Sequence, residues 1–242
     1  MEFDTTIFFD ALTSGTFVRG ALLSLGLAVT AMAAATVLGF AVALLRIAKN
    51  PAARATGWTY VWFFRAIPTL LVLLLIWNAG PQLFSALRDN WFTPFLAAFI
   101  GFTVVEAAYM AEILRSALLS VDEGQHIAAR ALGLPPHKVL FKVVLPQAIK
   151  VALPPTGNEF IAMLKYTSLA SVISLRELLT TAQAQVSQTF RYAEYYSAAL
   201  IYYLVIVSAA MAIQYVVESR YRWISKGTNT AGATPTTQKV PL

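Results

Sequence analysis

The sequence predicts an all-α integral membrane protein with about five transmembrane helices. Of its 242 residues, 58% are hydrophobic and only 12% are charged, and the mean hydropathy is +0.64. Soluble domains carry about 25% charged residues, and a soluble fold of this length has too little interior to bury so many apolar side chains. The apolar residues also form long intervals of the kind that a bilayer requires, about 20 residues each.

Each of these intervals is predicted to span the membrane because of its length and its few charged residues. The first and the last contain no charged residue, the second contains one near its start, the third begins apolar and then gains charges, and the fourth contains two adjacent prolines. Short helices of a soluble core are the alternative interpretation, and the length of the intervals argues against it. In chain order the predicted spans are residues 20–45, 57–79, 93–119, a fourth that begins near residue 147, and 195–217.

The placement of basic residues predicts the orientation of the chain. Loops on the cytoplasmic side of a membrane are enriched in Lys and Arg, and here the segments after the first, third and fifth spans are basic. We therefore expect a multi-pass membrane protein with the N-terminus outside and the C-terminus in the cytoplasm. The net charge of +6 is explained by this topology, so nucleic acid is not needed as a partner. The basic residues are Arg46, Lys49, Arg54, Arg130, Lys138, Lys142, Lys150, Arg220, Arg222 and Lys226.

The chain divides into three predicted parts. Residues 1–18 are expected to form an external N-terminal segment and residues 19–225 the transmembrane domain. Residues 226–242 are polar and rich in Gly, Thr and Pro, which predicts a disordered tail. Cysteine is absent, and His126 and His137 lie far apart without other ligand types, so we expect no metal site.

The longest predicted cytoplasmic loop, residues 121–146, has a pattern of its own. It contains GQHIAARALGLPPHKVLFKVVLP (residues 124–146), whose good helix formers stop at Gly133, as is typical of a helix C-terminus. The two prolines that follow predict a second short helix, which is expected to end at Pro146. Two short helices between membrane spans predict a docking surface. Its apolar side chains are Leu132, Leu134 and Phe141.

This loop resembles the cytoplasmic loop of the permease subunits of ABC importers. In that family a Glu-Ala-Ala triplet is followed after three residues by Gly, and after nine more by Ile, one residue and Leu-Pro. Ile127 stands at the glutamate position, so the resemblance implies apolar rather than ionic docking. The matching residues are Ala128, Ala129, Gly133, Val143, Leu145 and Pro146.

Four further strings resemble the polar amino-acid subgroup of these permeases, the histidine, glutamine and arginine type. They are FFRAIPTLLV (residues 63–72), AAYMAEILRSAL (107–118), LPQAI (145–149) and NEFIAMLKYTSLASVI (158–173). The resemblance covers about residues 20–223 and implies the fold of a type I ABC importer, with a coupling helix in the loop between the third and fourth spans. Five spans with an external N-terminus fit the same subgroup.

The resemblance implies a transport subunit and not an enzyme. The chain has no Gly-x-x-x-x-Gly-Lys-[Ser/Thr] loop, so no cofactor is expected on it, and ATP and Mg²⁺ are expected on a partner ATPase. The implied partners are a second permease subunit (the same or a sister chain), two cytoplasmic ATPase subunits, an external solute-binding protein and the amino-acid substrate. The residues expected to couple the chain to the ATPase are Ala128, Ala129, Arg130, Leu132, Gly133, Leu134, Leu145 and Pro146.

Charged residues inside membrane spans indicate either internal ion pairs or a site, because an unpaired charge in a bilayer is costly. Glu112 and Arg115 are three residues apart on one helix face, so we expect a structural ion pair. Arg65 lies near the end of a span and is interpreted as an anchor or a structural contact. Glu106 lies at the middle of the third span without a basic residue three or four positions away, which makes it a candidate site residue.

The subgroup resemblance puts the amino-acid pocket around the fourth span. Glu159 follows the Pro154-Pro155 break, and such breaks often line substrate paths. A carboxylate that faces a polar cavity favours a cationic ligand, so a polar amino acid is expected, with basic side chains favoured. The substrate-binding candidates are Glu159, Glu106, Asn158, Thr167 and Ser168.

Two other function classes stay open at this point. An ion-gradient-driven secondary transporter or channel would use Glu106 or Glu159 as a proton site, and inverted repeats would support it, but no convincing internal repeat is present. A membrane-embedded enzyme is the third class, and the sequence offers no nucleophile or metal constellation for it. The leading hypothesis is the permease subunit of an ATP-driven importer of polar amino acids.

Overall fold

Helices form all the regular structure within residues 3–222, which are the residues that our computed structural model describes. The predicted disordered tail, residues 226–242, lies outside the described residues. In chain order the α-helices are α1 (Thr5–Thr13), α2 (Gly15–Arg46), α3 (Pro51–Ala66), α4 (Thr69–Leu74), α5 (Gly80–Leu83), α6 (Pro94–Leu119), α7 (Glu123–Ala131), α8 (Pro136–Lys138), α9 (Leu145–Tyr166), α10 (Leu178–Thr189) and α11 (Tyr192–Arg222).

The all-α membrane class is confirmed, and the described residues contain four to five candidate spans, in line with the prediction of about five. Four helical segments of the described chain are long and apolar enough to cross a membrane. A fifth span results when the pair Pro51–Ala66 and Thr69–Leu83 is counted as one, since this pair passes the same test together. The four continuous segments are Gly15–Arg46, Pro94–Leu119, Pro136–Ile173 and Tyr192–Arg220.

The second span is sharply bent, whereas the sequence predicted one uninterrupted interval. Its two helices meet at an angle of 99°. Ile67 at the bend has φ −102° and ψ 144°, an extended conformation that the following Pro68 enforces by excluding the helical region. The apolar count along residues 57–79 could not reveal this bend, because a proline-induced turn does not change the hydropathy of the interval.

Small residues let α2 and α6 approach each other closely along their length. On α2 the side chains of Ala28, Ala31 and Ala35 have no exposed surface. A Cβ atom added at Gly39 would lie 2.7 Å from Cβ of Met110 and 2.9 Å from a backbone carbonyl oxygen of α6. Close backbone approach through Gly and Ala is the usual basis of helix association in membranes, where the lipid is as apolar as the side chains.

The second short helix predicted in the loop does not end at Pro146. Helical structure instead continues from Pro136 through a π-helical segment, Val139–Val144, directly into α9. The wider π turn immediately precedes Pro146, whose missing N–H would leave a gap in a regular α-helix. The prolines Pro154 and Pro155 likewise lie inside α9 without ending it.

Two helices that the sequence did not predict, α1 and α10, pack at the end of the bundle where α2 begins. Helix α2 starts at Gly15, so the segment expected before the membrane domain consists of α1 and the first turn of α2. Buried Glu177 caps α10 by accepting hydrogen bonds from the backbone N–H groups of Leu179 and Thr180. Burial raises the pKa of the Glu177 carboxyl, while these hydrogen bonds act in the opposite direction.

Candidate functional site

Glu106 and Glu159 line the same cavity inside the helical bundle. The cavity has a volume of about 220 Å³, below the roughly 300–1,000 Å³ of sites for drug-sized ligands, which suits a single small solute. Helices α6 and α9 supply both carboxylates and most of the remaining wall. The lining residues are Thr69, Phe102, Val105, Glu106, Tyr109, Glu159, Met163 and Tyr166.

The two carboxylates have different surroundings. Glu106 lies at the middle of α6 and is 5% exposed, and its Oε1 has no hydrogen-bond partner within the described residues. Glu159 is half-buried on α9. A buried carboxylate oxygen without a donor is costly, and its position in the cavity wall makes Glu106 a candidate site residue.

Arg65 lies beside this cavity and makes a structural contact there, one of the two roles that its position predicts. Its guanidinium group stacks over the ring of Tyr109, 5.2 Å from the ring centroid, and its charge acts on Glu159. Arg65 precedes the bend of the second span, and Thr69 follows it as the first residue of α4. The bend therefore brings a cation and a hydroxyl group from one short segment to the cavity.

Three of the predicted pocket residues lie elsewhere. The side-chain amide of Gln214 on α11 donates to Oδ1 of Asn158 at 3.0 Å. Thr167 is buried and its hydroxyl donates to the Leu164 carbonyl, while Ser168 bonds to the Lys165 carbonyl. None of these three residues is among those that line the cavity.

Most of the cavity wall lies outside the set of predicted site residues, although helical spacing indicates these positions. Tyr109 lies three residues after Glu106, and Met163 and Tyr166 lie four and seven residues after Glu159. Residues at these spacings share one face of a helix. The helical spacing from each carboxylate therefore predicts these three residues, because residues on one face of a helix line the same cavity.

Glu112 and Arg115 form an ion pair, with Nη2 of Arg115 3.1 Å from Oε2 of Glu112. Arg46, the last residue of α2, also pairs with Glu112. The carboxylate is therefore shared between two guanidinium groups from different helices. This three-residue ion cluster joins one end of α2 to α6, a contact between helices that helical spacing within α6 does not reveal.

The loop between α6 and α9 has the helix terminus that the sequence predicts. Gly133 has φ +75°, and a Cβ atom added there would meet nothing within 4 Å. The N–H of Gly133 donates to the Arg130 carbonyl at 2.8 Å, and that of Leu134 donates to the Ala129 carbonyl at 3.2 Å. These two bonds form a Schellman motif, which ends α7 and turns the chain back toward the bundle.

The residues expected to couple the chain to the ATPase divide into an inner and an outer set. Ala129 is buried, and Leu134 and Leu145 pack with it against α6 and α9, so these three hold the loop to the bundle. The others are exposed, together with Ile127 and Phe141, which are 63% and 56% exposed. The exposed residues of the predicted set are Ala128, Arg130, Leu132, Gly133 and Pro146.

Metal-binding groups are not clustered in the described part of the chain. Within residues 3–222, no group of three or more His, Asp or Glu side chains is arranged to hold a metal ion.

The chain is similar in sequence to known membrane transport proteins. The profile of the family described as "Binding-protein-dependent transport system inner membrane component" matches residues 35–223. The chain is 37% identical over 203 residues to the probable amino-acid permease protein YxeN of Bacillus subtilis, covering 84% of this chain and 90% of that protein. It is 36% identical over 221 residues to the arginine transport system permease protein ArgU of Corynebacterium glutamicum, covering 87% and 70%.

A solved structure has the same overall arrangement of helices. The chain matches the crystal structure of an amino acid ABC transporter with histidines at a TM-score of 0.78 and 31% sequence identity. The match covers 91% of this chain and 99% of the solved chain. The similarity therefore extends over most of the chain.

Proposed function

The chain belongs to the family of binding-protein-dependent transport system inner membrane components, and on this premise we propose that it carries polar amino acids into the cytoplasm, with basic ones favoured. It is the membrane-spanning permease subunit of an ABC importer, and members of this family are not themselves enzymes. ATP hydrolysis takes place on a separate subunit. An ion-gradient-driven transporter, the alternative from sequence, is not favoured by this family membership.

The observation that carries the proposed substrate class is the charge of the cavity. Glu106 and Glu159 face it together, and Arg65 is the cation at its edge. The site therefore has an excess of one carboxyl group over basic groups, which a substrate of net charge +1 complements. An acidic amino acid would instead add to the excess and be repelled. The relative ArgU is named an arginine transport system permease, which supports the same substrate class.

We expect the substitution Glu159→Gln to lower the uptake of arginine and lysine at least tenfold. The amide keeps the shape of the side chain and removes the charge, and a tenfold loss corresponds to about 1.4 kcal/mol of binding. Uptake of labelled substrate by cells that express the complete transporter measures the effect, and basal ATPase activity should change little. Ser168→Ala is the matched control, because the Ser168 hydroxyl bonds to its own helix outside the cavity.

Two results would count against the proposed substrate class. The first is normal arginine uptake by Glu159→Gln at normal protein abundance. The second is a preference of the unmodified transporter for glutamate or aspartate in competition assays. In either case the carboxylates of the cavity would have a structural role, and membership of the permease family would be unaffected.

The proposed assembly contains two permease subunits, two cytoplasmic ATPase subunits that hold ATP and Mg²⁺, and an external solute-binding protein. Helix α7 and the residues that follow it supply the contact with the ATPase through exposed Ile127, Leu132 and Phe141. The family has a glutamate at the position of Ile127, so this contact is proposed to be apolar here. Closure of the two ATPases would draw the two loops together and shift the bundle between inward- and outward-facing states.

The proposed orientation places the N-terminus outside and the C-terminus in the cytoplasm of the bacterial inner membrane. Single cysteines can test it directly, because the chain contains none. Cysteines at the exposed positions Arg88 and Arg176 should react with an impermeant thiol reagent in intact cells, and those at Lys49 and Lys138 only after lysis. Labelling of position 49 but not of position 88 in intact cells would reverse the orientation.

A further inference from the structure

An amino acid presents two kinds of charge to its site, and the cavity wall matches only one of them. Its amino group, and the side chain of a basic amino acid, require carboxylates, which Glu106 and Glu159 supply. Its α-carboxylate requires a cation or several N–H donors. The residues that line the cavity include no Lys or Arg, so the partner of the α-carboxylate has to come from the edge of the site.

Arg65 is suitably placed and unoccupied by other contacts. No hydrogen bond or ion pair among residues 3–222 uses its guanidinium N–H groups. The group stacks on Tyr109, which itself lines the cavity, and it is close enough to Glu159 to interact with that charge. The side chain is exposed, so it can turn toward a ligand without breaking a contact other than the stacking.

We infer that Arg65 binds the α-carboxylate of the transported amino acid while Glu106 and Glu159 bind its cationic groups. This inference rests on the proposed function, since it assumes that the cavity holds an amino acid. A guanidinium group offers parallel N–H donors that match both oxygens of a carboxylate, and stacking on Tyr109 holds its plane beside the cavity. Arg65 thereby makes the site selective for amino acids over amines that lack a carboxylate.

Arginine and agmatine are the probes for this role, because agmatine is arginine without its α-carboxylate. We would purify the permease together with its ATPase, reconstitute the complex into nanodiscs, and measure equilibrium binding of each labelled compound. This assay omits the solute-binding protein, which has a selectivity of its own. The unmodified complex should bind arginine at least tenfold more tightly than agmatine.

The substitution Arg65→Gln should weaken arginine binding about tenfold and leave agmatine binding unweakened, so that the preference disappears. Arg65→Lys, which keeps the charge, should retain most of the preference. The Arg65→Lys variant also keeps the test informative if Arg65→Gln is unstable in a melting assay. Arg54→Gln is the matched control, since Arg54 is an exposed arginine of the same helix away from the cavity. It should change neither affinity.

The outcomes separate this inference from the proposed function. If Arg65→Gln weakens arginine and agmatine binding equally, or weakens neither, Arg65 does not bind the α-carboxylate. The proposal that the cavity binds a basic amino acid would still stand. If the unmodified complex prefers agmatine, the inference is likewise overturned. If the unmodified complex binds neither compound, the proposed substrate class fails, and the inference fails with it.

Discussion

Replacing Glu112 by alanine is expected to destabilise the folded protein by about 3 kcal/mol. The substitution removes the carboxylate that Arg46 and Arg115 share and leaves two guanidinium groups without a counter-charge. Breaking a buried ion pair from one side costs about 3–5 kcal/mol, more than the intact pair contributes. The lower end of that range applies because the Glu112 side chain is 24% exposed. Thermal unfolding in detergent should therefore begin at a clearly lower temperature.

A triple variant distinguishes the loss of the counter-charge from the loss of the whole ion cluster. Replacing Arg46, Glu112 and Arg115 together by Met removes all three charges and keeps most of the side-chain volume, and such replacements are often neutral or stabilising. We expect this triple variant to melt close to the unmodified protein and well above Glu112→Ala. Arg115→Ala should have a smaller effect than Glu112→Ala, because Arg46 still neutralises the carboxylate. A Glu112→Ala protein that melts normally would show that the ion cluster contributes little.

Replacing Gly133 by proline is expected to reduce transport about a hundredfold while the membrane bundle stays intact. Gly133 has φ +75°, whereas proline is restricted to about −65°. Proline also lacks the N–H that Gly133 donates to the Arg130 carbonyl at 2.8 Å. Together these losses cost about 3 kcal/mol or more, enough to displace the end of α7 and with it the exposed apolar residues proposed to contact the ATPase. A hundredfold effect corresponds to about 2.7 kcal/mol.

Asparagine at the same position is the matched control. It tolerates the left-handed region, and its side chain has room because a Cβ atom at position 133 meets nothing within 4 Å. Gly133→Asn should therefore keep uptake and ATPase co-purification within about threefold of normal, whereas Gly133→Pro should lose both at unchanged abundance in the membrane. Normal uptake by the proline variant would refute the docking role of this loop.

Several features of the protein follow from short stretches of the chain. Long apolar intervals predict the membrane class and the number of spans, because each helix must by itself satisfy the length and polarity of the bilayer. Gly133 predicts the end of α7 for a similar reason, since the left-handed conformation is a property of one residue and its neighbours. The spacing of Glu112 and Arg115 predicts that the two can pair, because a helix places residues three apart on one face.

The bend of the second span and the continuity of α9 could not be predicted from short stretches of the chain. Pro68 and Pro146 are equally visible in the sequence, yet the first produces a 99° bend and the second lies inside continuous helical structure. The difference depends on whether neighbouring segments accommodate the missing N–H group. At Pro146 the preceding π turn does so, and the packing of α9 against α6 and α7 holds the segment in place.

Local sequence is sufficient to predict the membrane-spanning helices, the left-handed helix end at Gly133, and two carboxylates too costly to be left without a partner. Helix packing, by contrast, determines that Glu106 and Glu159 share one cavity with Arg65 beside it, and that Arg46 joins the ion pair of Glu112 and Arg115. Helix packing also places Asn158 against α11. The physical reason is that local chemistry sets each helix, whereas the rotation and packing of helices against one another set which side chains meet, and those contacts join residues far apart in the chain.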